Sequence, residues 1–220
     1  MMTLAHSARA GCVAALATIL LSGCSFNLTS EPPASLLTLQ PTTTVPVGTT
    51  ASVGGDDGSS AIAVLIPEVP AMLNVARIPV TVNETEIAYL QDAFWIERPA
   101  RLFRQLLGES LRAKGAGVVL DNDDTPALPA RTLRGTLLDL GYDAPSSSVI
   151  VRYNAVKTSG ERVVETRRFE ARESGITADV ASVGPALNRV ANEVANEAAD
   201  WMLSTSIEPS APPIAGETAE

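Results

Sequence analysis

The chain has 220 residues, of which 45% are apolar and 4% aromatic, and a formal net charge of -9. That length holds one domain with a core that needs no metal or disulfide staples, while the acidic balance repels phosphate backbones and anionic head groups; nucleic acid is a poor partner, and membrane attachment is left to a covalent lipid. Both cysteines, Cys12 and Cys24, and the single histidine, His6, fall within the first 24 residues.

From Met1, a short stretch carrying Arg9 leads into an apolar run, Cys12 to Leu21, which is too short to cross a bilayer and has the form of a signal-peptide core. Leu21-Ser22-Gly23-Cys24 follows and looks like the bacterial lipobox: a branched apolar residue, two small residues that fit a peptidase cleft, and a cysteine whose sulfur takes a diacylglyceryl group. Residues 1–23 are therefore expected to be removed and Cys24 to carry the lipid. Ser25 rather than Asp follows the cysteine, which by resemblance to enterobacterial sorting favours release to the outer membrane.

Residues 24–60 are rich in Thr, Pro, Ser and Gly and read as a flexible tether, within which Leu36-Leu37-Thr38-Leu39 could add a short strand to the domain. The folded domain is expected over 61–206, with a disordered tail over 207–220. Ala61 to Pro67 reads as a buried strand and Val75 to Val82 as a second, which Pro79 restricts to an edge or bulge. Pro99 opens a helix to about Lys114 with Leu102, Phe103, Leu106, Leu107 and Leu111 at helical spacing, and Gly115 stops it. Val118 to Leu120, Thr132 to Tyr142 and Ser148 to Val156 read as strands; Lys157 to Gly160 forms a hairpin turn into Val163 to Phe169. A last helix runs from about Pro185 to Leu203, with Leu187, Val190, Val194, Ala198 and Trp201 on one stripe and Asn188, Asn192, Glu193, Asn196 and Glu197 opposite. The order β-β-α-β-β-β-β-α defines a single two-layer α/β sandwich, with a mixed, mostly antiparallel sheet and two amphipathic helices.

Chemistry is sparse in this pattern. Without histidine after the leader there is no Ser-His-Asp or Cys-His arrangement, and lipid would block Cys24. Gly115-Ala116-Gly117 stands between helix and strand, the reverse of the order a dinucleotide loop requires. Asp121-Asn122-Asp123-Asp124 is the best metal candidate, but an EF-hand loop would need Gly at Pro126 and Glu at Thr132, so it reads as a solvated turn. Neither metal nor cofactor is expected, and no catalytic residue is assigned. Glu84, Glu86 and Glu97 remain the carboxylates that a hydrolase reading would have to use.

The aromatic residues are few but clustered: Tyr89, Phe94 and Trp95 fall within seven positions, ahead of Arg98-Pro99. They read either as a core cluster locking a loop onto the helix or as an anchor for a partner protein, because Trp, Tyr and Arg concentrate at binding hot spots. Tyr89, Phe94, Trp95 and Arg98 are the candidate partner contacts. This segment, with Leu106-Leu107 and Leu111 in the helix after it, resembles the ABC-type transport auxiliary lipoprotein family. Leu133-Arg134-Gly135-Thr136-Leu137-Leu138-Asp139-Leu140, Arg168-Phe169 and the terminal helix ending at Trp201 agree with it. Where that family commonly has Tyr-x-Leu near the anchor, this chain has Leu37-Thr38-Leu39. The resemblance implies a non-enzymatic outer-membrane lipoprotein that faces the periplasm. Its implied partners are an inner-membrane ABC transporter and an MCE-type (mammalian-cell-entry) substrate-binding protein, moving lipids or other hydrophobic molecules. Homo-oligomerisation is left open. The competing reading is a lipoprotein regulator of an envelope-synthesis enzyme, built on the same tethered plan.

Overall fold

The computed structural model describes residues 35–51, 61–122, 129, 131–159 and 162–204, with Val164 described by its backbone alone. The leader, Cys24, residues 52–60, Asp123 and Asp124 of the acidic turn, and the tail beyond 204 lie outside the described residues.

Seven strands form one sheet: β1 (Ile62–Val64), β2 (Arg77–Asn83), β3 (Glu86–Phe94), β4 (Val119–Leu120), β5 (Arg131–Asp143), β6 (Ser148–Ser159) and β7 (Arg162–Ser174). Helix α1 (Pro99–Ala113) falls between β3 and β4, and α2 (Val180–Leu203) ends the domain. The long strand β5 is the spine. Along one edge it pairs antiparallel with β6, which in turn pairs with β7. Two strands share its other edge: β1 lies parallel to the first residues of β5 and carries β4, while β2 lies parallel to Tyr142 and Asp143 and carries β3. Between them the chain leaves β5 after a bridge from Glu68 to Thr136 and makes a 3-10 turn, Ala71–Leu73.

The expected mixed α/β plan with one open sheet and two helices is present, with one strand more than periodicity predicts. The segment expected as an aromatic loop is largely β3. Its alternation is broken at Asp92, which sits at φ 54°, and the pairing with β2 shifts register between Arg77 and Pro79. A bulge of this kind flips the side-chain phase and hides the strand from a period-two reading. Pro79 is accommodated at that irregularity. Helix α2 also starts earlier than Pro185: the Asp179 carboxylate accepts from the Ser182 amide at 2.8 Å, and the proline lies inside the helix.

Both helices cover one face of the sheet. Alternation on β6 sends Val149, Val151, Tyr153, Ala155 and Lys157 to that face, where all are buried. Phe103 of α1 meets Tyr153 edge-on with ring centroids 5.3 Å apart, and Trp201 of α2 meets Phe169 at 5.7 Å. Lys157 is 3% exposed, yet its ammonium donates to the Trp201 and Ser204 carbonyls at 2.9 and 3.1 Å, where the open end of α2 concentrates negative partial charge.

Part of the expected tether is docked on this body. Leu37 bridges to Trp95 beyond the end of β3, and Leu39 is buried in the core. The segment then follows one stripe of α2. Leu37 packs on Gly184, the Gln40 amide donates to the Asn188 side chain at 2.7 Å, and the Thr42 amide donates to Asn192 at 2.8 Å. Positions 184, 188 and 192 are four residues apart and so share a helix face. The asparagines expected on a solvated face instead give this Thr/Pro-rich segment a polar track, and Asn192 is 3% exposed.

Candidate functional site on the open face

The four aromatic-cluster candidates separate. Trp95 is 2% exposed and faces the helices, so it belongs to the core, with an indole N–H that has no hydrogen-bond partner among the described residues. Tyr89 and Phe94 face the other way, and the Arg77 guanidinium lies over both rings at 5.2 and 5.4 Å, a cation–π clasp across β2 and β3. Arg98, the residue before α1, is exposed. The structure thus joins Tyr89 and Phe94 through a residue the sequence did not single out and places Trp95 on the opposite face.

The second layer of the sandwich is absent from the far side of the sheet among the described residues, leaving the outer positions of β5, β6 and β7 uncovered. Arg152 binds Asp139 at 2.5 Å and Glu170 at 2.7 Å, and Arg168 donates to Asn154 at 2.6 Å. Burial pushes the Asp139 carboxyl above its ordinary value despite the adjacent guanidinium, whereas the hydrogen bond from Arg152 holds Glu170 below its own.

Beside this ladder lies a groove of about 790 Å³ lined by Ile66, Glu68, Arg134, Thr136, Asn154, Val156, Thr166 and Arg168. Its floor depends on Gly135, at φ 158°, where a Cβ would run into the Asn154 carbonyl oxygen. Arg134 is exposed, and its guanidinium has no hydrogen bond or ion pair among the described residues. One free cation, apolar patches from Ile66 and Val156, and a polar rim suit recognition of an acidic or amphipathic surface. The signal was present in Arg134, Thr136, Asn154 and Arg168, the polar half of an alternating pattern whose apolar half alone defines the strands.

Glu86 is held by the Asn83 amide at 3.0 Å at one end of β3, whereas Glu97 pairs with Arg101 at 3.5 Å beyond its other end. Glu84 lies in the β2–β3 turn, just before Glu86 opens β3. Asp121 is tied to Arg112 at 2.5 Å, and no group of three metal-ligating side chains occurs among the described residues.

Among the described residues, fold and surface define an open-faced α/β domain with an exposed sheet. The profile of the ABC-type transport auxiliary lipoprotein component matches residues 38–199, and the chain belongs to that family. A crystal structure of a Xanthomonas campestris protein of the DUF330 family is similar, with 18% identity and a TM-score of 0.60 over 76% of this chain and 92% of that one. An uncharacterized protein of known structure has 14% identity and a TM-score of 0.55 over 66% and 90%. A hypothetical protein from Chlamydia trachomatis has 8% identity and a TM-score of 0.44 over 66% and 98%. No curated protein matches significantly.

Proposed function

We propose that this chain is the outer-membrane, lipid-anchored auxiliary subunit of an MCE-linked ABC transport system. Cys24 holds it to the membrane, the domain faces the periplasm, and it works by protein–protein contact in moving lipids or other hydrophobic molecules. ATP hydrolysis belongs to another subunit. The observation that carries this reading is the uncovered sheet face with its groove and unpaired Arg134, in a chain whose family is an auxiliary transport component. An exposed arginine beside apolar surface gives an acidic partner both steering and an anchoring contact.

The test is co-purification of the mature protein with an MCE-type component and an ABC permease expressed in the same cells. Arg134→Glu should weaken association at least about tenfold, a loss in the hot-spot range, while leaving the thermal midpoint unchanged. Unchanged association in that variant removes the groove as the contact; no association of the wild-type protein removes the transport assignment itself.

A further inference from the structure

The corner where the chain joins the domain has a surface that the groove does not explain. Leu36 and Ile96 are 49% and 62% exposed, unusually wet for large apolar side chains. They are neighbours by construction: the Leu37 amide donates to the Phe94 carbonyl and the Ile96 amide to the Leu37 carbonyl, both at 2.8 Å. Leu37 and Trp95 point inward from this bridge, so alternation turns Leu36, Phe94 and Ile96 outward together. Cations border them. Arg77 stacks on Phe94, Arg98 is exposed, and Arg101 has a side chain 56% exposed whose charge is met, among the described residues, by Glu97. On a chain of net charge -9, this is a locally basic, apolar edge.

We infer that Leu36, Phe94, Ile96 and Arg98 form the face that rests on the phospholipid surface to which Cys24 is attached. The inference rests on the proposed lipidation of Cys24. Two observations favour a lipid surface over a protein. Cys24 lies eleven residues before Ser35, and a fully extended stretch of that length spans at most about 40 Å, so this corner has the shortest covalent path to the anchor. The segment from Leu37 to Thr42 is also bonded to Trp95 and to α2, so Leu36 is held at this corner of the domain where the chain enters it. Apolar side chains flanked by arginines are the composition that enters the head-group boundary, where the stems insert and the guanidiniums meet lipid phosphates. Protein charge and anionic lipid would otherwise repel, so the basic edge also selects the orientation.

The experiment uses the full mature lipidated protein in vesicles of phosphatidylethanolamine and phosphatidylglycerol. With Cys24 acylated, Ile96→Cys or Val163→Cys supplies a single free thiol for a nitroxide label; Val163 is 55% exposed on β7, away from the corner. On reconstitution, the label at position 96 should show a severalfold rise in its accessibility to oxygen relative to a water-soluble nickel complex, and the label at 163 should show none. Leu36→Glu combined with Arg98→Glu should abolish the rise. Anchored protein whose label at 96 stays as wet as that at 163 overturns the inference while leaving the anchor intact. Protection at 96 that appears only when the MCE-type component is added overturns it in favour of a protein surface. Failure of the wild-type protein to sediment with vesicles overturns the anchor reading and this inference together.

Discussion

Lys157 and Arg134 face opposite sides of the same β-meander, and the contrast between them describes the whole domain. Lys157 is 3% exposed, sits 4.9 Å from the Trp201 ring centroid and donates to two carbonyls at the end of α2. Arg134 is exposed, and its guanidinium has no partner among the described residues. Burying a cation is tolerable only when its donors are used, so the covered face saturates every charge it admits. The open face keeps a charge in reserve, which is the condition for binding something else. Stability and the proposed recognition thus fall on alternate residues of the same strands.

The covered face should fail first and hardest. Trp95→Ala is expected to cost about 3 to 5 kcal/mol in urea denaturation, because a large ring leaves the core beside β3; a loss under about 1 kcal/mol would mean the ring can leave the core at little cost. Lys157→Met should cost about 1 to 3 kcal/mol, the range for leaving buried carbonyls without a donor. Burial lowers the Lys157 pKa from its ordinary 10.5, so the unfolded chain binds the extra proton between the two values. Stability should therefore rise with pH across that alkaline interval in the wild type, and Lys157→Met should flatten the rise. Parallel curves for the two proteins would show that Lys157 is solvated after all.

Asn192→Ala should cost about 1 to 2 kcal/mol by removing its bonds to Gln40 and Thr42, and amide exchange should quicken at Thr42 while the sheet stays protected. The open face should respond least. Arg152→Met is expected to change stability by less than about 1 kcal/mol, since its partners are solvent-screened. In acid the two carboxylates pull in opposite directions. Glu170, held low, loses its contribution as pH falls through its folded value, whereas Asp139, held high, gains stability as it takes up a proton. Proton-coupled chemical shifts of both carboxylates would separate them, and a common midpoint would contradict this arrangement.

Strands β5 to β7 and the apolar stripe of α1 were readable because one face is buried and the other wet over long stretches, even though β5 shifts register between Leu137 and Asp139. The β3 strand was not, because the bulge at Asp92 shifts its phase in the middle. The start of α2 was obscured by Pro185, which resembles a helix opener, whereas the capping Asp179 lies six residues earlier. For the docked part of the tether, Thr and Pro content was informative about local stiffness but blind to Asn188 and Asn192, about 150 residues away in sequence. The aromatic cluster was visible as a group; that Arg77 binds two of its members while Trp95 turns inward depends on register.

The clasp of Leu37 to Thr42 along α2 would have a mechanical meaning if Cys24 carries the proposed lipid. With lipid on Cys24, tension from relative movement of the envelope layers reaches the Leu37 bridge and the two asparagines before it reaches β5. Releasing these six residues would lengthen the linker by roughly 20 Å. Under the proposed attachment the segment would act as a fuse, lengthening while the sheet stays folded.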